Sequence, residues 1–402
     1  MWNFNKLSNL PGVVVIKCTV TSSTISFHIQ PRRKTGICPH CEMKTKQVRS
    51  KAPMKVVQNG MILGKICLLQ VRLRRFFCEK CARAFTEELL NVGKRQRVTL
   101  QHKREVVGNL SHSSFSSGSK KYHVSYFTQR RWLEELVTNQ VCNFVQEEEE
   151  NTPFVMGIDE VSFSGHTMLT TIGNITKHRL KGVLTSKNKR VLRSMLSHLS
   201  PHTKSLVSEV VIDMCRLYKT VVSEILPSAS IVVDHFHIIH DANKRIDEER
   251  TILQDIFKKR IPRYLFTMNK EDLKRYAADD LAQILKKYPE LTLYYQTKER
   301  LRDMYKAKTK EQAEQELHLI ISTLSSTDDG ALIAWGRTLS YWKTYILNYW
   351  NSRSTNGYME GMHNKMKLIK RISFGFRNKK VFIHKVMLSA LITTVLLPYL
   401  IS

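Results

Sequence analysis

The sequence predicts a multidomain α/β chain: an N-terminal zinc ribbon, a helix-turn-helix, and a larger α/β domain interrupted by an all-helical insertion. Three observations carry this expectation. Two Cys-x-x-Cys pairs, Cys38-Pro39-His40-Cys41 and Cys78-Glu79-Lys80-Cys81, sit in a β-rich stretch. After Pro153, apolar runs alternate with amphipathic segments in the order β-β-β-α-β-α-β. Two of those runs end in aspartate, Asp159 and Asp213, and a lone acid, Glu360, follows in a basic helical segment.

Composition bounds the partners. Among 402 residues, 64 basic side chains outnumber 35 acidic ones, a net charge of +29. That excess points to a polyanion, most simply nucleic acid, with an anionic membrane surface as the alternative. A hydrophobic fraction of 42% supports a buried core and excludes a disordered chain. Met1-Trp2-Asn3-Phe4 does not open a signal pattern, so a cytoplasmic protein is expected. There, eight cysteines favour metal over disulfides. Val386 to Ser402 is apolar, but it is short for a span and Pro398 interrupts it, so a buried C-terminal helix is expected rather than a tail anchor.

Residues 1–92 read as the zinc-ribbon-like module. Val13–Ile16 and Ile66–Val71 are candidate strands. Each Cys-x-x-Cys can place two thiolates on one tetrahedral Zn²⁺, giving Cys38, Cys41, Cys78 and Cys81 as ligands. The gap between the pairs is wide, and a β-hairpin can fill it. A redox pair is the alternative, but no thioredoxin-like βαβ pattern lies nearby. Residues 93–146 read as helices: His102 to Leu110, a Ser/Gly-rich turn from Ser111 to Ser119, then Val124 to Leu133. A helix carrying Gln129, Arg130 and Arg131 after a turn suits a DNA reader, with a plain helical hairpin as the alternative. The acidic run in 147–153 reads as a linker.

The α/β domain is assigned to 154–240 and 351–402, with the helical insertion at 241–350. Phe154 to Ile158 is expected as a buried strand ending at Asp159. Thr167–Gly173 and Arg179–Leu184 follow as strands, then a helix from Arg190, a strand ending at Asp213, a helix from Leu217, and Ser230–Val233 ending at Asp234. This order is that of the ribonuclease-H-like fold. In such a sheet the first and fourth strands are parallel neighbours, so Asp159 and Asp213 face each other and Glu360 closes the site from a later helix. Three carboxylates so placed suit two Mg²⁺ (or Mn²⁺) ions and phosphodiester chemistry. Asp234 competes with Asp213 for the second position; it otherwise reads, with His237, as a supporting pair. Glu360, Asn364, Lys367 and Arg371 share a helical face. Lys367, Arg371 and Arg377 are candidate phosphate contacts, and Phe374 and Phe376 between basic residues can stack bases.

At these residues the chain resembles bacterial insertion-sequence transposases of the ISL-three family, a branch of the DDE transposases. The resemblance rests on the paired Cys-x-x-Cys region and the helices after it. It also rests on Gly157-Ile158-Asp159-Glu160, Ile212-Asp213-Met214, Asp234-His235-Phe236-His237 and the block Ser354 to Asn378. Asp234-x-x-His237 is similar to a C/D-x-x-H motif that follows the second catalytic aspartate in several DDE groups, which favours Asp213 for catalysis. Lys367 matches a basic residue seven positions after the glutamate. His235 stands where arginine is more usual. The resemblance implies metal-dependent cleavage and joining of double-stranded DNA at the element's terminal inverted repeats. It further implies recognition of the ends by the N-terminal region, a homodimer or larger assembly on DNA, and residence at the bacterial nucleoid. The competing reading is a DNA-binding regulator whose nuclease-like domain is degenerate.

Overall fold

The computed structural model describes residues 12–89, 91–93, 95–138 and 145–391. The chain divides into two compact units, residues 1–140 with 366–402, and residues 141–365.

In the first unit, β1 (Val13–Val20) and β2 (Thr24–Pro31) form a hairpin. β3 (Gly36–Ile37) and β4 (Lys44–Thr45) bracket the first cysteine pair, and β5 (Val48–Lys51) follows. The hairpin β6 (Lys55–Ile62) and β7 (Lys65–Val71) occupies the wide gap between the pairs. β7 adds in parallel to β2, giving the sheet order β1-β2-β7-β6. Strand alternation puts Phe27, Ile29, Val57, Leu69 and Val71 into one apolar cluster. β8 (Arg74–Cys78) and β9 (Arg83–Thr86) form a hairpin around the second pair and join β5. Phe76 on β8 is buried where Gly36 has no side chain; a Cβ at Gly36 would stand 2.6 Å from its ring.

Three helices follow: α1 (Leu100–Asn109), α2 (Phe115–Tyr122) and α3 (Tyr126–Val137). Hydroxyl side chains of Thr99, Ser114 and Ser125 open them by accepting the N–H of His102, Ser117 and Thr128. The stretch Ser111–Ser119, expected as a turn, therefore contains the start of a helix. Its serines supply the cap, and Phe115, Gly118 and Tyr122 form the buried stripe. His123, at φ 55°, turns the chain into α3.

Gln129 requires a correction. It is wholly buried, not a base-reading side chain. Its amide donates to Phe115 O, Ser119 Oγ and Val124 O, clamping α2 and the turn onto α3. Gly118 leaves the space its carbonyl occupies. Gln129→Ala is therefore expected to lower thermal stability by about 1–3 kcal/mol, the cost of stranding buried partners, with no change in DNA sequence preference; parallel melting and binding-site selection check this. Arg130 is half-buried, and Arg131 is exposed beside Glu135 at 3.8 Å.

In the second unit, α4 (Val145–Glu150) corrects the linker expectation. Glu147 is buried and accepts from Lys181 Nζ at 2.6 Å and Asn174 Nδ2 at 3.1 Å. Glu148 accepts from the hydroxyls of Ser200 and Thr203, and Glu150 pairs with Lys177 and Arg179. The acidic run looked solvated because its basic partners, Lys177, Arg179 and Lys181, lie beyond two intervening strands in sequence.

β10 (Phe154–Ser164), β11 (Thr167–Asn174) and β12 (Arg179–Leu184) are antiparallel. After α5 (Lys189–Ser197) and the short α6 (Pro201–Leu206), β13 (Val207–Ile212) runs parallel to β10. After α7 (Arg216–Ile225), β14 (Ser230–Val233) runs parallel to β13. The sheet order is β12-β11-β10-β13-β14. β10 does not end at Asp159 as expected, because its hairpin with β11 continues past the Asp159–Thr171 pair to Ser164.

Helices follow in the order α8 (His235–Phe257), α9 (Tyr264–Thr267), α10 (Arg275–Lys287), α11 (Glu290–Met304), α12 (Lys310–Ser325), α13 (Gly330–Leu347) and α14 (Tyr349–Ser352). The boundary expected at 240/241 falls inside α8, which starts directly after Asp234. Trp335, Leu339 and Ile346 of α13 continue the apolar cluster of the sheet. The chain closes with α15 (Gly357–Ile372) and α16 (Lys379–Leu391). Residues from Met366 onward belong to the first unit, not to the α/β unit as the sequence suggested. The reason lies in α16, which packs along α3 and sends Lys385 Nζ to Ser113 O at 2.5 Å. Val386–Leu391 lie in α16, whose residues Val381–Ala390 are mostly buried; 392–402, with Pro398, lie outside the described residues. Among the described residues no helix is long and apolar enough to cross a membrane.

Candidate active site and metal centre

β10 and β13 are in register, with Gly157 opposite Val211. Asp159 stands two residues further along β10, and Asp213 directly follows the end of β13, so the parallel pairing brings both to the same end of the two neighbouring strands. Both carboxyl groups ionise at about 6, well above the ordinary 3.8. Burial is the main cause in each. At Asp159 the Glu160 N–H and His237 oppose it, while Asp234 and Glu160 add to it. At Asp213 the Glu160 carboxylate adds, and His237 and Lys187 oppose.

Asp234 follows β14, with its N–H donated to Ile212 O at 2.9 Å, and its side chain caps α8 by accepting the Phe236 N–H. One helical turn later, His237 Nε2 lies 3.9 Å from Asp159 Oδ1. The Asp234-x-x-His237 element thus brings its histidine to the first aspartate while its own carboxylate serves the helix start.

The helix that carries Glu360 is seated on the sheet by two glycines. Gly157 and Gly173 are cross-strand partners on β10 and β11. A Cβ on Gly157 would stand 2.7 Å from Asn356 Oδ1, and one on Gly173 would stand 2.6 Å from Met359 Sδ. The bare backbone pair is a groove filled by Asn356 and the start of α15. One turn on, His363 Nδ1 lies 3.7 Å from Asp159 Oδ2, and its Nε2 shares a 2.8 Å hydrogen bond with the Thr171 hydroxyl. Glu360 itself is exposed in the first turn of α15.

Among the described residues, two groups bring three or more His, Cys, Asp or Glu ligand atoms within 4.8 Å of one another. One is Glu160, Asp213 and Cys215; Glu360 belongs to neither. Glu160, held by Lys187 Nζ at 2.5 Å, was not singled out from the sequence as a site residue, and neither was His363. The signal for both was present: Glu160 adjoins Asp159, and His363 is one turn from Glu360. Divalent cations suit the Glu160, Asp213 and Cys215 set, because Asp213 Oδ1 is buried with no hydrogen-bond partner.

The second group is Cys38, Cys41, Cys78 and Cys81. Sγ atoms of Cys38 and Cys81 lie 3.5 Å apart, and those of Cys41 and Cys78 3.4 Å apart. A tetrahedron with bonds of about 2.3 Å has edges of about 3.8 Å, so the sulfurs are already spaced for one ion. Both knuckles turn at a left-handed residue directly after the second cysteine, Glu42 at φ 58° and Ala82 at φ 52°. Burial works to raise the Cys38 thiol, but the backbone N–H groups of His40 and Cys41 hold it down at about 7. That favours thiolate, the form that binds metal, at Cys38; burial and the neighbouring thiols push Cys81 the other way, up to about 12.

Lys367, Arg371 and Arg377 are exposed residues of the first unit.

A sheet with neighbouring aspartates, a tetracysteine cluster and a strongly basic chain suit a nucleic-acid partner, and comparison with known proteins gives the family. Residues 156–386, more than half of the chain, match the family model of the ISL-three DDE transposases, and the chain belongs to that family. It is 23% identical over 373 residues to the transposase for insertion sequence element IS1001 of Bordetella parapertussis, covering 90% of this chain and 91% of that protein. It is 25% identical over 264 residues to the transposase for IS1557 of Mycobacterium tuberculosis, covering 58% and 59%. The role of this chain is therefore that of an insertion-sequence transposase.

Proposed function

We propose that the chain binds the terminal inverted repeats of its element and carries out metal-dependent cleavage and strand transfer, with Asp159, Asp213 and Glu360 as the metal-holding residues. The observation that carries this reading is a pair of aspartates, Asp159 buried on β10 and Asp213 half-buried at the end of its parallel neighbour β13, both with carboxyl groups raised to about 6. Two divalent cations bound there would activate the attacking water or 3′-hydroxyl and stabilise the leaving oxygen. The side chains supply the rest. Asp159 is oriented by the Glu160 N–H and flanked by His237 and His363. Lys187 holds Glu160 beside Asp213. The five-stranded sheet is read as ribonuclease-H-like, since its order and strand directions are those that place the first and fourth strands together.

The first unit is assigned the DNA ends. Zn²⁺ at the four cysteines orders its small sheets, α2 and α3 form the helix-turn-helix, and Arg130, Arg131, Lys367, Arg371 and Arg377 contact phosphates. Joining two ends calls for at least a dimer on DNA. Glu360→Gln keeps the shape of an exposed side chain and removes only its charge. It is expected to abolish cleavage of labelled end DNA in Mg²⁺ while leaving end affinity intact in a gel-shift assay; cleavage at the native rate would remove Glu360 from the site.

A further inference from the structure

The first unit holds a cleft of about 330 Å³ that the chemistry above does not use. Its walls are the start of α2 (Ser114, Phe115), Tyr126 at the start of α3, and the α15–α16 loop with Phe374, Phe376 and Arg377. That volume is at the small end of ligand sites. Phe115 and Tyr126 meet edge to face at 5.0 Å, and Phe376 is braced by Phe382 at 5.2 Å. Beneath them Lys385 Nζ donates to Ser113 O and Ser373 Oγ, tying the two walls together.

Phe374 is the unusual member. It is 92% exposed, and its backbone sits at φ 57°, a region that a bulky side chain rarely adopts. The loop satisfies the last carbonyls of α15 through Phe374 N–H to Arg371 O and Gly375 N–H to Lys370 O. A glycine or asparagine would serve that helix end with less strain. An aromatic ring kept in solvent on strained backbone, at the rim of an aromatic cleft, has no structural use in the free chain.

We propose that this cleft takes an unstacked nucleobase of a DNA strand. The inference rests on the transposase reading and adds a binding site to it. A base is flat and apolar on its faces and polar at its edge. Phe374, Phe376 and Tyr126 offer faces for stacking, Ser114 and Asn378 at the rim offer edge contacts, and the exposed Arg377 offers a cation to the strand's phosphates. The strongly basic chain selects a polyanion over an aromatic peptide or a lipid. Stacking tolerates any base, so the cleft would capture strand distortion rather than sequence.

The test uses the full chain, a fluorescein-labelled thymidine dodecamer as the unstacked-base probe, and a duplex carrying the element's end. Phe374→Asn removes the ring and suits the local backbone, so the fold is retained or stabilised. It is expected to weaken dodecamer binding about tenfold, with duplex affinity unchanged, and Phe374→Tyr is expected to restore the native value. The proposal is overturned if Phe374→Asn binds the dodecamer as the native chain does, or loses duplex affinity equally. A native chain that binds the duplex but not the dodecamer also overturns it and leaves the transposase reading standing. A native chain that binds neither DNA removes both.

Discussion

Asp213→Asn and Asp159→Asn are expected to abolish strand cleavage and, in metal-free buffer, to raise the melting temperature at neutral pH. The two effects share one cause. Each carboxyl group ionises at about 6 in the folded chain against 3.8 when unperturbed. The folded state therefore binds protons that the unfolded state has released between those values. Their contribution to stability is fully present below about pH 4 and is lost as pH rises through about 6. At neutral pH both groups are ionised, Asp159 buried and Asp213 half-buried, and both are close to Glu160, so a neutral asparagine relieves that strain. Loss of a group needed in the transition state is expected to lower cleavage about a thousandfold or more. Calorimetry in chelator at neutral and acid pH checks the stability half: the stabilisation by asparagine should shrink towards acid pH. A variant less stable than the native chain at neutral pH would contradict it. Added Mg²⁺ should stabilise the native chain and not the variants.

Loss of metal from the tetracysteine cluster is expected to be equally severe for DNA binding. Among the described residues, Phe76 and Phe85 are the buried side chains that form an apolar core with the cysteines. So small a core does not hold β3, β4, β8 and β9 in place alone, and a structural Zn²⁺ contributes on the order of 10 kcal/mol. Cys78→Ser should lose the metal, expose this module to protease and abolish end binding, while the second unit keeps its own melting transition. Elemental analysis should find about one zinc per native chain. A metal-free native chain that binds DNA ends would contradict the assignment.

Much of this was legible in the sequence, for identifiable reasons. The cysteine pairs announce themselves by spacing, and the β13 and β14 strands by short apolar runs ending in aspartate. What was not legible depended on distant partners. Glu147 to Glu150 reads as solvated until Lys177, Arg179, Lys181, Ser200 and Thr203 are brought beside it. Gln129 reads as a DNA contact until its three acceptors on α2 and the turn are known. α2 was missed because serine and glycine mark both turns and caps, and only the Phe115, Gly118, Tyr122 stripe separates the two. The Gly157–Gly173 groove that seats α15 needs the β10–β11 register, which no local pattern specifies.

The central claim is that Asp213, not Asp234, is the second metal-holding carboxylate. The most direct measurement is Mg²⁺-dependent cleavage of labelled element-end DNA by the native chain, Asp213→Asn and Asp234→Asn. Asparagine caps a helix as well as aspartate does, so Asp234→Asn preserves the start of α8 and changes charge alone. The expected result is that Asp213→Asn is inactive while Asp234→Asn still cuts. Cleavage by Asp213→Asn together with an inactive Asp234→Asn would contradict it and move the metal site one strand outward.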